Sequence, residues 1–284
     1  MAEENPIKRK IKKVGKLFYE VGEKWSEDKA PKLGAALSFY TIFSLAPLLI
    51  IAIALAGMVF GNEAAQGEIV YQIEGLVGKE GAKIVQTAIK NASEGSSDVI
   101  ATIISLVTLV VASTAVFVEL QDSLNKIWRV RRKTGNVIKQ TLRERLISFG
   151  MVVGFGFILL ISLLISALIT GLKNFFSSYF TIPFYVLEIS NILISIGVIF
   201  VMFTMIYKVL PDVHLAWRDV WRGGLITTLL FVLGKYLIGL YLGASSYAST
   251  YGAAGSLAIL LIWIYYSAQI VFFGAEFAYV LTVR

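Results

Sequence analysis

KYLIGLYLGASSYASTYGAAGSLAILLIWIYYSAQIVFFGAE, residues 235–276, sets a lysine in one apolar run and a glutamate near the end of a second. A Gly/Ala/Ser/Tyr turn separates the two runs. Each run approaches the roughly 20 apolar residues that a hydrocarbon layer demands of a spanning helix. An ionisable group placed inside such a segment is costly, so Lys235 and Glu276 are the first functional candidates.

Working outward, the same texture fills the chain. Of 284 residues 57% are hydrophobic and 16% charged, a composition far from that of a soluble domain. Six spans are predicted, at about 33–60, 99–118, 146–172, 184–210, 223–242 and 255–281. The fold class is therefore an all-α polytopic membrane protein, with a six-helix membrane domain over 32–284.

Residues 1–31 form a separate unit. Ile7, Ile11, Val14, Phe18, Val21 and Trp25 recur at helical spacing, with Lys8, Arg9, Lys12, Lys13 and Lys16 on the remaining surface. A basic amphipathic helix of this kind lies on an anionic lipid surface; the other reading packs the stripe against protein. Ala30-Pro31 should end the helix in an elbow. The first thirty residues lack the apolar core of a cleavable signal.

Between the first two spans, residues 61–97 read as an external loop of two short amphipathic helices broken around Gly78-Lys79-Glu80-Gly81. They would form a lid, a docking surface for an envelope protein, or a cap on the bundle. Residues 119–145 form a basic cytoplasmic loop with Leu120, Leu124, Ile127 and Trp128 on one helical side. Pro47 removes a backbone hydrogen bond within the first span and predicts a kink. Ser38, Thr41 and Ser44 beside it line a polar path or bond to the preceding turn.

Orientation follows from charge. With six spans both termini share a side, which carries twenty of the lysines and arginines against four on the other. Lys208 and Lys235 fall within spans. The excess places both termini in the cytoplasm of a cell-membrane protein. It also accounts for the basic loops without nucleic acid, which is not expected as a partner.

The chemistry available is narrow. There are no cysteines and a single histidine, His214. No phosphate-cradling glycine loop is present, and the cytoplasmic-side carboxylates lack metal-motif spacing. Neither a cofactor nor a metal centre is expected, and the chain reads as non-enzymatic.

Intramembrane polar groups carry more. At 1.5 Å per residue, Lys235 lies roughly 10 Å inside the outer boundary and Glu276 roughly 8 Å inside the cytoplasmic one, so the two should not pair directly. Glu188 falls nearer the depth of Lys235. Lys208, Glu119 and Arg222 fall nearer that of Glu276. Tyr265, Gln269, Phe272 and Glu276 share one helical stripe, and Gly224, Thr228, Lys235 and Gly239 another. Facing inward, the stripes would wall a polar cavity; otherwise the charges form static pairs or Lys235 snorkels to the headgroups.

Ala35-Ala36-Leu37-Ser38-Phe39-Tyr40 leading to Ser44-Leu45-Ala46-Pro47 resembles the opening signature of the YihY/BrkB family of bacterial membrane proteins. Leu124-Asn125-Lys126-Ile127-Trp128, Tyr251-Gly252 through Gly255-Ser256-Leu257, and Trp263-Ile264-Tyr265 with Ser267-Ala268 and Gly274-Ala275-Glu276 extend the likeness. It covers Lys32 to about Val280. The resemblance implies a six-helix protein of the cytoplasmic membrane. The family's old label of ribonuclease BN has no nuclease constellation here to support it. Other members are linked to lipid handling at the envelope, which implies a transporter or flippase-like protein for a lipid or another amphiphile. A non-transporting scaffold is the alternative, and a membrane-bound ribonuclease comes last.

Overall fold

The computed structural model describes residues 6–93, 99–130, 146–147, 150–151, 153–154, 157, 184–244 and 247–283. Every element among them is helical: α1 (Pro6–Glu27), α2 (Ala30–Phe60), α3 (Asn62–Ser93), α4 (Val99–Ile127), α5 (Phe184–Val209), α6 (Trp217–Ala244) and α7 (Tyr247–Val283). Three described stretches are long and apolar enough to cross a membrane: Ala30–Ala54, Ile192–Val209 and Leu257–Val283. The spans expected at 99–118 and 223–242 fall within α4 and α6. The one expected at 146–172 lies mostly outside the described residues.

The last helix, α7, is the hub: it packs on α1, α2, α3, α4 and α6. One buried cluster joins Leu37 of α2, Leu124 and Ile127 of α4, Tyr207 of α5, Val220 of α6 and Phe272 of α7. A second ties Leu49 and Ile53 of α2 to Ile69 and Val85 of α3 and to Leu260 and Trp263 of α7.

Three boundaries differ from expectation. The first elbow forms before Ala30, at Asp28–Lys29. Lys29 takes a left-handed backbone (φ 57, ψ 41), and Pro31 falls in the first turn of α2, where its missing N–H costs nothing. Next, α3 is one helix of 32 residues rather than two broken at 78–81. Glycine inside a helix costs only about 1 kcal/mol relative to alanine. The buried Ala65, Ile69, Ala82, Val85 and Ile89, packed on α2 and α7, supply more than that. Lastly, α4 continues to Ile127, so the first part of the basic 119–145 segment is helix. Leu120, Leu124, Ile127 and Trp128 are buried there, while 131–145 lies outside the described residues.

Helix α2 runs on through Pro47. Ser38 and Thr41 donate to the carbonyls of Gly34 and Leu37, the bonds to the preceding turn rather than a polar path. The buried Ser44 hydroxyl, one turn before Pro47, has no partner.

Helix α1 divides its stripe between two surroundings. Val21 is fully buried against Phe277 and Val280 of α7, and the Phe18 ring lies 5.7 Å from that of Phe277. Toward the N-terminus Val14 is exposed, with Lys12, Lys13 and Lys16 around it. The second half of the helix is thus docked on protein.

Candidate functional site

The polar residues converge where the α1–α2 elbow meets the end of α4 and the middle of α7. At the elbow, the left-handed Lys29 turns the chain so abruptly that Asp28 points inward, with 2% of its surface exposed. From α4, Lys126 Nζ donates to the Asp28 carbonyl at 2.6 Å and Arg129 Nη1 donates to Asp28 Oδ1 at 2.8 Å.

Arg129 reaches Asp28 because α4 ends in a Schellman turn. Val130 N–H bonds to Asn125 O and Arg129 N–H to Lys126 O, with Arg129 itself left-handed at φ 55. Glycine usually holds that position; a side chain there costs roughly 1–2 kcal/mol, offset here by the ion pair. Burial alone would lower the Arg129 pKa. Asp28, with Tyr279 and Glu276, outweighs that and moves it upward.

From α7, Glu276 enters this junction completely buried. Among the described residues neither of its carboxyl oxygens has a hydrogen-bond partner, and Asp28 Oδ2 lacks one as well. The charges that bear on Glu276 are Asp28, Arg129 and Lys24. Two turns earlier, Gln269 Nε2 donates to Ala30 O at 3.4 Å, while Oε1 is left without a partner. Tyr265 and Gln269 both press on Gly34, where a Cβ would strike the Gln269 amide and meet Tyr265 Cε2 at 3.4 Å.

Glu276, Gln269 and Tyr265 therefore share the elbow face of α7. The other candidates lie elsewhere. Lys235 is exposed on α6, one residue past Gly234, whose position is covered by the Tyr266 ring. Thr228 is buried, but its hydroxyl donates to Gly224 O at 2.7 Å, and Gly224 itself packs on Thr204. That part of the second stripe is a helix–helix contact, of the kind small residues permit in membranes.

Lys208 Nζ donates to Leu215 O and lies 5.8 Å from the centre of the Trp217 ring. It clamps the connector between α5 and α6. Glu119 is half-buried on α4 beside Asp122. Glu188 belongs to the second turn of α5, and its side chain lies outside the described residues. A further clamp was not foreseen. Asn125 accepts from Asp212 N–H at 2.7 Å and donates to its carboxylate at 2.9 Å, and Gln121 donates to the same oxygen at 3.2 Å.

A family profile described as "Virulence factor BrkB" matches residues 21–284, which takes in the elbow, α4 and the whole of α7. The chain belongs to the BrkB family. A UPF0761 membrane protein of Ralstonia nicotianae is 30% identical over 261 residues, covering 90% of this chain and 56% of the relative. A UPF0761 membrane protein of Pseudomonas paraeruginosa is 27% identical over 250 residues, covering 87% of this chain and 58% of that one. The chain thus spans a little over half the length of these relatives. No solved structure matches it. With relatives named as membrane proteins and three apolar helices long enough to cross, this BrkB-family chain is a membrane protein.

The junction that sequence reading missed in this BrkB-family chain is the Asp28–Arg129 half. Asp28 stands in the charged run SEDK and looks like surface, and its partner lies 101 residues away. The available signal was the block Leu124–Trp128, which ends one residue before Arg129.

Proposed function

We propose that this protein moves a lipid or another amphiphile across the cell membrane in which it sits. It crosses that membrane six times, with both termini in the cytoplasm. The observation that carries this reading is Glu276, fully buried in an apolar helix long enough to span, with neither oxygen hydrogen-bonded among the described residues. A carboxylate kept only to brace the fold would have its lone pairs met, since leaving them unmet costs several kcal/mol of desolvation. An unmet one is what a group that exchanges partners during a cycle requires.

The exposed Lys235 is suited to attract an anionic headgroup near the opposite boundary, and the basic face of α1 to rest on anionic lipid. Reconstituted into vesicles, the protein should transfer labelled phospholipid between leaflets, and Glu276→Gln should slow the transfer at least tenfold with expression unchanged. A wild type no faster than empty vesicles overturns the reading.

The second reading is a scaffold that recruits an envelope partner. Close packing of α5, α6 and α7 favours it: Gly224 lies on Thr204, and Gly223 faces the Gly274 carbonyl, where an added Cβ would come within 2.6 Å. Any docking surface on 61–97 must then use the outward side of α3, such as the exposed Tyr71, because the inward side is core. The absence of lipid transfer by folded protein is the result that selects it.

A further inference from the structure

Two carboxylates meet at the junction of α1, α4 and α7, and one guanidinium serves them. Arg129 is committed to Asp28 Oδ1 at 2.8 Å. What remains is one oxygen of Asp28 and both of Glu276, all buried and all without a partner among the described residues. The charged groups that bear on Glu276 are Lys24 on α1, Asp28 at the elbow and Arg129 just past the end of α4, and Tyr279 on its own helix acts on Arg129. Lys126 is occupied by the Asp28 carbonyl rather than by either carboxylate.

With both acids ionised, a second negative charge would be buried beside the first without a counter-ion of its own. Two such groups at close range do not both ionise readily. A single proton resolves the arrangement. On Glu276 it removes the uncompensated charge and turns an acceptor into an O–H donor, for which the neighbouring Asp28 carboxylate can accept. One proton therefore joins the two carboxyl groups.

We infer that Asp28 and Glu276 form a proton-binding site, loaded from and emptied to the water at the elbow and controlled by Arg129. The proton comes from water at the rim, where the Arg129 side chain is 44% exposed, and returns there when Arg129 turns from Asp28 to Glu276. No other reactant is needed. The site stands whether or not the chain moves lipid, because it follows from the orphaned oxygens and not from a translocation path.

The test is infrared difference spectroscopy on the full chain in lipid nanodiscs, which needs no transport activity. A protonated-carboxyl C=O band should rise and fall with pH in the wild type and be missing from Glu276→Gln. Arg129→Gln withdraws the charge that favours the ionised pair, so the midpoint should move up by about one to three pH units. Arg129→Lys, which keeps the charge, should leave the midpoint close to that of the wild type. Should Arg129→Gln not fold, the Arg129→Lys and Glu276→Gln spectra still decide. A folded wild type with no such band, a band that persists in Glu276→Gln, or one displaced by sodium at constant pH overturns the proton site.

Discussion

Asp28 ties three elements together: its carbonyl takes Lys126, one carboxyl oxygen takes Arg129, and its charge bears on Glu276. Asp28→Asn keeps the shape and removes the charge, leaving a guanidinium that is only half covered. The cost should be about 1–3 kcal/mol, toward the lower end because water reaches Arg129, read as a fall in the unfolding midpoint of detergent-purified protein. Asp28→Asn combined with Arg129→Gln should lose less than the sum of the two single changes, since they share one interaction.

How much of the site was legible is also settled at this scale. Glu276 and Gln269 stood out because a polar residue in a long apolar run is conspicuous. Asp28 and Arg129 stood in charged segments where such residues are commonplace. Their meeting, and the burial of Asp28, accompany two left-handed backbones, at Lys29 and Arg129, that no local pattern announces.

At the scale of elements, the apolar runs were long enough to be read directly, whereas their ends and breaks were decided by neighbours. Gly78 and Gly81 read as a break, yet α3 continues through them because α2 and α7 offer an apolar surface along its length. Likewise the Gly224/Thr228 stripe leaves cavity wall or structural pairing open in the sequence, and Gly224 packs on Thr204 of α5. A tighter approach is made on the α6–α7 side, at Gly274 of α7. A Cβ there would collide with Thr227 Oγ1 and come within 2.7 Å of Tyr207 Oη, which donates to Val271 O.

Gly274→Ala should therefore destabilise by about 1–3 kcal/mol through overpacking. Adding Thr227→Ala, which deletes the colliding oxygen, should recover part of that loss. Failure of the second change to help would mean that the helices part instead of straining. Thermal unfolding of the two variants in the same detergent makes the comparison.

For the whole molecule, the proposed six-span topology, with twenty basic residues on one side against four on the other, expects α1 and the end of α7 to face the cytoplasm and α3 to face outward. Because the chain has no native cysteine, single introduced thiols report sidedness cleanly. In intact cells an impermeant maleimide should label Tyr71→Cys and should reach Lys16→Cys only after permeabilisation. Labelling in the reverse order would invert the topology.

The elbow at Lys29 has a mechanical consequence. Helix α1, at 22 residues, is about 33 Å long. Among its described side chains, Leu17, Phe18 and Val21 pack on α7, within about ten residues of where it turns. It is thus a lever with a short arm ending at Asp28 and a long arm lying among lysines at the surface. On the proposed reading, in which the long arm rests on anionic lipid, a change in bilayer charge or curvature that tips it would reach the carboxylates as a small displacement.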